Sequence, residues 1–249
     1  MSSVVLAVLA LAAVLYVLAA VDLRWSPLRT VSWLAGLAVA AAGLTGPLAA
    51  AHGDLRAHLA AHLLAGMVAP LLLVLAAPVT LLLRALPVHR ARTVSRLLRT
   101  APARVLGDPF VAVALNVGGL WVLHVGGLLG TVAHSPGWHL LVSLHVLVTG
   151  WLATAAVLAV DPAPHRRGVV PRAVALGAGM AGHDVLAKWL YAHPPAGVTH
   201  AEAGARLLYD GGTVVHVVVA ALLWRQWYRS RAAVRDAEQM AGQRPWARA

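Results

Sequence analysis

The chain has 249 residues, of which 60% are hydrophobic and only 12% charged, with a mean hydropathy of +0.75. A soluble domain is about 45–50% apolar and about 25% charged, so this composition excludes an ordinary soluble domain and places the chain in lipid. The net charge of +11 comes from 19 arginines and one lysine, spread over the connections between apolar runs rather than gathered into an aromatic-lined groove, which excludes nucleic acid as the partner.

A bilayer core needs about 20 apolar residues per helix. Runs of that kind predict an all-α polytopic bundle of seven transmembrane helices: Ser3–Val21, Thr30–Ala49, Ala57–Leu83, Pro109–Leu129, Trp138–Val160, Val170–Tyr191 and Ala205–Trp227. The first run lacks the basic n-region of a cleaved signal peptide and is read as a retained helix with its amino terminus outside. Residues 1–228 then form one transmembrane domain, and 229–249 a basic cytoplasmic tail that extends the last helix. Arginine distribution orients the bundle. Seventeen arginines lie on the predicted cytoplasmic side, Arg24 through Arg248, and only Arg56 and Arg206 lie outside. That asymmetry is a positive-inside signal, which an even number of helices would destroy. The near-exclusive use of arginine over lysine looks like a high-GC bacterial genome, and the expected location is a bacterial inner membrane. The stretch from Pro87 to Asp108 reads as a basic interfacial segment with Val94, Leu97 and Leu98 on its apolar side, attracted to anionic lipid. Pro70 and Pro78 each remove a backbone donor from the third helix and predict kinks there.

The chain has no cysteine, so disulfides, thiolate haem ligation and a CxxC metal shuttle are excluded, and metal chemistry must use His, Met, Asp or Glu. Of the 13 histidines, only His89 and His165 fall on the predicted cytoplasmic side. His62, His124, His145, His183 and His216 lie in five helices, roughly 8 to 16 Å below the outer surface at about 1.5 Å per residue. Imidazoles at membrane depth are costly and mark function. His58 and His62 are spaced i, i+4 on one helix face, so both can meet one ion. The candidate metal ligands are therefore His58 and His62 at the outer position, with His124, His145, His183 and His216 further in. Met180, one turn before His183, adds a thioether, and imidazole with thioether suits copper. Met67 lies well round the helix from His62 and reads as core or lipid-facing. Asp184 and Lys188 are spaced to form an ion pair, or Asp184 accepts a hydrogen bond from a ligand histidine. His139 lies on a different face from His145. His52, His134, His193 and His200 read as loop histidines, and Asp210 as a charge favoured at the start of the last helix.

The third helix resembles the signature helix of the CtaG family of cytochrome c oxidase assembly factors. It has His58-Leu-Ala-Ala-His62, an apolar run, Pro70 and Pro78, and a closing Leu83-Arg84-Ala85-Leu86-Pro87. His134-Ser-Pro-Gly-Trp-His139, His145, Gly150 and Asp161-Pro-Ala-Pro164 resemble the family's fifth helix and the turn after it, and Tyr209-Asp210-Gly-Gly212 resembles the opening of its last helix. Ala76 stands where the family has glycine, and Asp210-Gly211 replaces an Asp-Gln pair. The resemblance implies seven helices and a factor that matures haem–copper oxidase, with the catalytic subunit of cytochrome c oxidase as partner and copper as the metal. A non-catalytic role is expected.

Other functions compete on the residues alone. Paired transmembrane histidines ligate b-type haem, with Gly118, Gly119, Gly126, Gly127, Gly177 and Gly179 making room for it. A zinc protease is disfavoured because Leu59 stands where HExxH needs glutamate. A copper or proton transporter is a further reading. The arginine count predicts that a reporter active only outside the membrane works when fused after Ala133 or Ala196 and is silent after Arg92 or at Ala249. An active external reporter at Ala249 rules out the seven-helix topology.

Overall fold

A computed structural model describes residues 2–51, 53–128 and 135–242, and among them it is helical apart from turns and one isolated bridge between Asp54 and Thr199. The helices are α1 (Ser2–Asp22), α2 (Pro27–Thr45), the single turn α3 (Pro47–Ala50), α4 (Leu55–Leu63), α5 (Ala69–Leu75), α6 (Pro78–Ala85), α7 (Val88–Leu97), α8 (Ala101–Leu106), α9 (Pro109–His124), α10 (Pro136–Leu158), α11 (Val169–Ala192) and α12 (Ala201–Gly242). Five stretches are long and apolar enough to cross a membrane: Ser3–Asp22, Pro27–Thr45, Leu55–Leu75, Gly137–Leu158 and Ala201–Ala232. The apolar α9 is shorter, at 16 residues, or about 24 Å. It stops at His124 instead of running to Leu129, and Leu129 itself lies outside the described residues. The 24-residue α11 is long enough but carries Arg172, Asp184 and Lys188. The last helix passes Tyr228 without a break and ends at Gly242.

The third predicted helix is broken, not merely kinked. Between α4 and α5 the chain makes a π-turn, Leu64–Val68, in which the Ala69 amide reaches back to the Leu64 carbonyl. Pro70 explains the turn: it has no amide to give Gly66 and would press on that carbonyl in a regular helix. Gly150 of α10 lies against the Gly66 carbonyl, where an added Cβ would overlap it. The second break falls at Ala77, which adopts a left-handed backbone with φ 53°, a conformation that costs a residue with a Cβ about 1–2 kcal/mol.

Groups from three other elements satisfy the backbone around this break. The Tyr16 hydroxyl of α1 donates to the Ala76 carbonyl at 2.8 Å, and the Ser32 hydroxyl of α2 donates to Leu72 at 2.7 Å. The Asp161 carboxylate, in the turn after α10, accepts from the amides of Val79 and Thr80 at 3.2 and 2.7 Å and from the Thr80 hydroxyl at 2.6 Å. Tyr16 is itself held by the Trp25 indole at 3.0 Å and by stacking on Trp33 with centroids 4.7 Å apart.

Small residues set the other close approaches. Gly36 and Gly43 of α2 face Leu73 and Ala61, so close that a Cβ on either would meet its neighbour at 2.9 Å. Such small-residue contacts are how membrane helices gain packing energy. Among the described residues three apolar clusters form the core, the smallest around Tyr16, Ala20, Ala76 and Leu81 beside the second break. Of the larger two, one gathers Leu55, Leu59, Leu63, Leu120, Leu186 and Leu208, and the other Leu71, Val74, Val157, Leu158, Leu176 and Leu223. The buried Arg172 guanidinium donates to the Val157 carbonyl at 2.8 Å and so serves the end of α10, where Ala159 turns left-handed.

The predicted interfacial stretch forms α7 and α8, neither of which buries a residue. At its end Asp108 caps α9 and pairs with Arg167 at 2.8 Å. Partial burial pushes the Asp108 carboxyl up, but the Arg167 contact and the amides of Phe110 and Val111 together hold it below the usual range.

Two substitutions test the repair of the break. Asp161→Ala should destabilise detergent-purified protein by about 1–2 kcal/mol, the usual cost of a lost helix cap. Tyr16→Phe should cost about 1 kcal/mol, the worth of one hydrogen bond. Thermal unfolding midpoints read both, and unchanged midpoints would show that the break needs neither group.

Candidate metal-binding site

The site begins at the cap of α4. Asp54 accepts from the amides of Arg56 and Ala57 at 2.9 and 3.1 Å and pairs with the His200 ring at 3.2 Å. The Ala57 amide, and after it the His200 ring and the Arg56 amide, hold the Asp54 carboxyl below its ordinary range. Leu55 and Thr199 join the same contact through their backbones, at 3.1 Å from Leu55 N to Thr199 O. The loop between α11 and α12 is thereby fastened to the start of the helix that carries His58 and His62.

From that cap, imidazoles of four helices come together. The His58 ring stands edge-on to His124 of α9, with centroids 5.6 Å apart. His62 stacks on His183 of α11 at 6.4 Å, and His183 meets His216 of α12 edge-on at 5.4 Å. His62, His124 and His183 are buried. Glycines make the room: Gly212 of α12 lies under His183, where a Cβ would overlap the ring, and a Cβ at Gly66 would come within 3.0 Å of His62. The Trp121 indole donates to the Gly182 carbonyl at 3.0 Å and fixes α9 against α11.

The nitrogen inventory is unusual. His124 Nδ1 lies 3.0 Å from the Leu120 carbonyl. A carbonyl only accepts, so Nδ1 carries the proton and Nε2 keeps its lone pair. That Nε2 is buried without a hydrogen-bond partner, as are His62 Nε2 and both nitrogens of His183. Buried polar atoms are normally satisfied, and those that are not point to a missing water or ion. Among the described residues no three His, Asp or Glu side chains converge to hold one ion. The arrangement is therefore a row of neighbouring imidazoles instead of a closed tetrahedral cage.

The structure sorts the sequence candidates. His58, His62, His124, His183 and His216 form the row. His145 is exposed on α10, its ring over Gly119 of α9; depth alone had suggested an inner ligand. His139, which sequence spacing set aside, lines a small cavity of about 50 Å³ together with His58 and His62. The only sequence signal for it was its place on a different helix face from His145. Met180 packs against the apolar cluster of Leu71 and Leu176, and Met67 against that of Leu59 and Leu63.

Lys188 does not pair with Asp184: its ammonium lies over the Tyr209 ring at 5.3 Å. One Asp184 carboxylate oxygen is buried and unpartnered. Asp210 is not at a helix start, because α12 begins at Ala201. His193 stacks on Trp189 at 5.0 Å. His52 and His134 lie outside the described residues.

No solved structure matches the chain. Uncharacterized proteins of Mycobacterium bovis and Mycobacterium tuberculosis are each 32% identical to it over 151 residues, covering 57% of this chain and 23% of theirs. One of Mycobacterium leprae is 29% identical over 168 residues, covering 64% of this chain and 25% of its own. The chain thus spans 23–25% of the length of these curated relatives. Its sequence from residue 14 to residue 230 matches the profile of the cytochrome c oxidase caa3 assembly factors (Caa3_CtaG), and the chain belongs to that family.

Proposed function

We propose that this protein is a bacterial inner-membrane assembly factor for haem–copper cytochrome c oxidase that takes up copper as cargo at its imidazole row and aids its delivery to the catalytic subunit. The observation that carries this reading is the row itself. Imidazoles from four helices leave buried nitrogens unpartnered in a chain of an oxidase assembly family.

The donor chemistry fits copper. Imidazole suits copper, zinc, iron and nickel, and the absence of thiolate keeps affinity at a level from which an ion can be passed on. A metal–nitrogen bond of about 2.0 Å puts the ring centres of two imidazoles on one ion about 5–6.3 Å apart, from a tetrahedral to a linear angle. The spacings of 5.4 and 5.6 Å fall inside that window, and 6.4 Å at its edge. Pairwise ligation of this kind favours a monovalent d10 ion, which is content with few donors, over zinc. Three neighbouring pairs follow as successive two-imidazole stations: His58 with His124, His62 with His183, and His183 with His216. The seven-span topology supports the direction of supply. With seventeen arginines inside and two outside, the row opens to the outer face, and α9 and α11 span the membrane as members of the packed bundle.

The haem alternative meets a volume limit. The cavity beside His216 measures about 60 Å³, well under the roughly 300 Å³ where small-molecule sites begin.

Replacing His62 and His183 together by alanine should lower copper bound per purified protein to less than half of wild type, read by elemental analysis beside the visible spectrum. Unchanged copper stoichiometry would remove these residues from the site, and a Soret band in the wild-type protein would favour haem. In the cell, deletion of the gene should leave the oxidase subunits in the membrane but inactive, with copper lost and haem retained. Oxygen consumption per oxidase protein, with both contents determined alongside, checks this. Full oxidase activity in a strain without any copy of the gene would overturn the assembly role.

A further inference from the structure

The end of the bundle away from the imidazoles holds a lateral cavity of about 300 Å³ between α5, α6, α8, α10 and the turn at 161–165. Its wall is apolar, with Val74, Leu98, Leu106, Trp151, Leu152 and Ala155 facing it. Its volume reaches the range of small-molecule sites, and such a wall offers water too few partners to be held there. Hydrocarbon is the filling that a bilayer supplies.

The rim has the opposite character. Arg99, Arg104 and Arg166 each follow a lining residue in the sequence, Leu98, Ala103 and His165, and all three are exposed. Among the described residues none of them has a carboxylate within ion-pair distance. The two acids nearby are already engaged, Asp108 by Arg167 at 2.8 Å and Asp161 by the amides of Val79 and Thr80. The His165 ring lies 3.4 Å from the Arg99 carbonyl and holds the two halves of the rim together. Neither α7 nor α8 buries a side chain in protein, so their apolar sides are left for lipid.

We propose that this cavity is a binding site for one anionic phospholipid, with an acyl chain in the apolar cavity and the phosphate held by Arg99, Arg104 and Arg166. The guanidinium fork matches phosphate oxygens two at a time, and unpaired arginines at a membrane surface attract anionic headgroups. The site is independent of the metal reading, since it shares no residue with the imidazole row.

The test uses the full chain in nanodiscs of equimolar phosphatidylglycerol and phosphatidylcholine, with retained lipid counted by native mass spectrometry. Wild type should retain phosphatidylglycerol over phosphatidylcholine by about tenfold or more. Arg99→Gln, Arg104→Gln and Arg166→Gln together should bring that ratio to within about twofold, the loss expected when the charges that set the preference are gone. These changes touch only exposed side chains and leave the fold intact. Ala155→Trp, which fills the cavity, should reduce retention of both lipids. Equal retention of the two lipids by wild type, or an undiminished preference in the arginine variant, would overturn the proposal. Displacement of the lipid by inorganic phosphate alone would overturn the assignment to a lipid.

Discussion

Every backbone carbonyl and amide at membrane depth must find a partner inside the protein, because hydrocarbon offers none. The helix that carries His58 and His62 violates the simplest solution twice, at Pro70 and at Pro78. Its repair recruits much of the bundle: a π-turn and Gly150 of α10 at the first break, then Tyr16 of α1, Ser32 of α2 and Asp161 after α10 at the second. Three distant parts of the chain are thus tied to one helix by its unpaired backbone groups.

The imidazole row obeys the same physics with the opposite sign. Along α11 and α12, His183 and His216 fall between residues of one leucine-rich cluster and residues of the other, and His62 stands among the leucines of the first, where an unpartnered nitrogen is expensive. Helices would rather close over such a layer than leave it open. They are held apart by the rings themselves, which occupy the space over Gly66 and Gly212 where side chains would otherwise stand. The binding role proposed above gives a reason for keeping such costly groups.

The two ends of the bundle answer to different media. Around the imidazoles the helices meet through glycine, and the loop between α11 and α12 is fastened over the start of α4. At the other end the packing opens into an apolar cavity rimmed by arginine, with α7 and α8 resting on the surface. The cation proposed for one end and the lipid proposed for the other both rest on that difference.

Much of this was legible in the sequence. Mean hydropathy and run length require membrane helices, since a continuous apolar run of about 20 residues is the length of a spanning helix, which bonds its backbone within itself. The prolines foretell trouble in the third helix, and the i, i+4 spacing of His58 and His62 needs only helical geometry. The family is readable from that one segment. What a linear reading could not supply is which way each helix is turned. His145 and His139 share a helix, and only packing decided that His139 lines the cavity with His58 and His62 while His145 is left exposed. Lys188 is correctly spaced to pair with Asp184, yet Tyr209 from another helix offered its ring. Periodicity fixes neighbours within one helix, where the backbone sets the distance. Contacts between helices depend on rotation and depth, which small residues such as Gly66, Gly150 and Gly212 set and which no local pattern encodes.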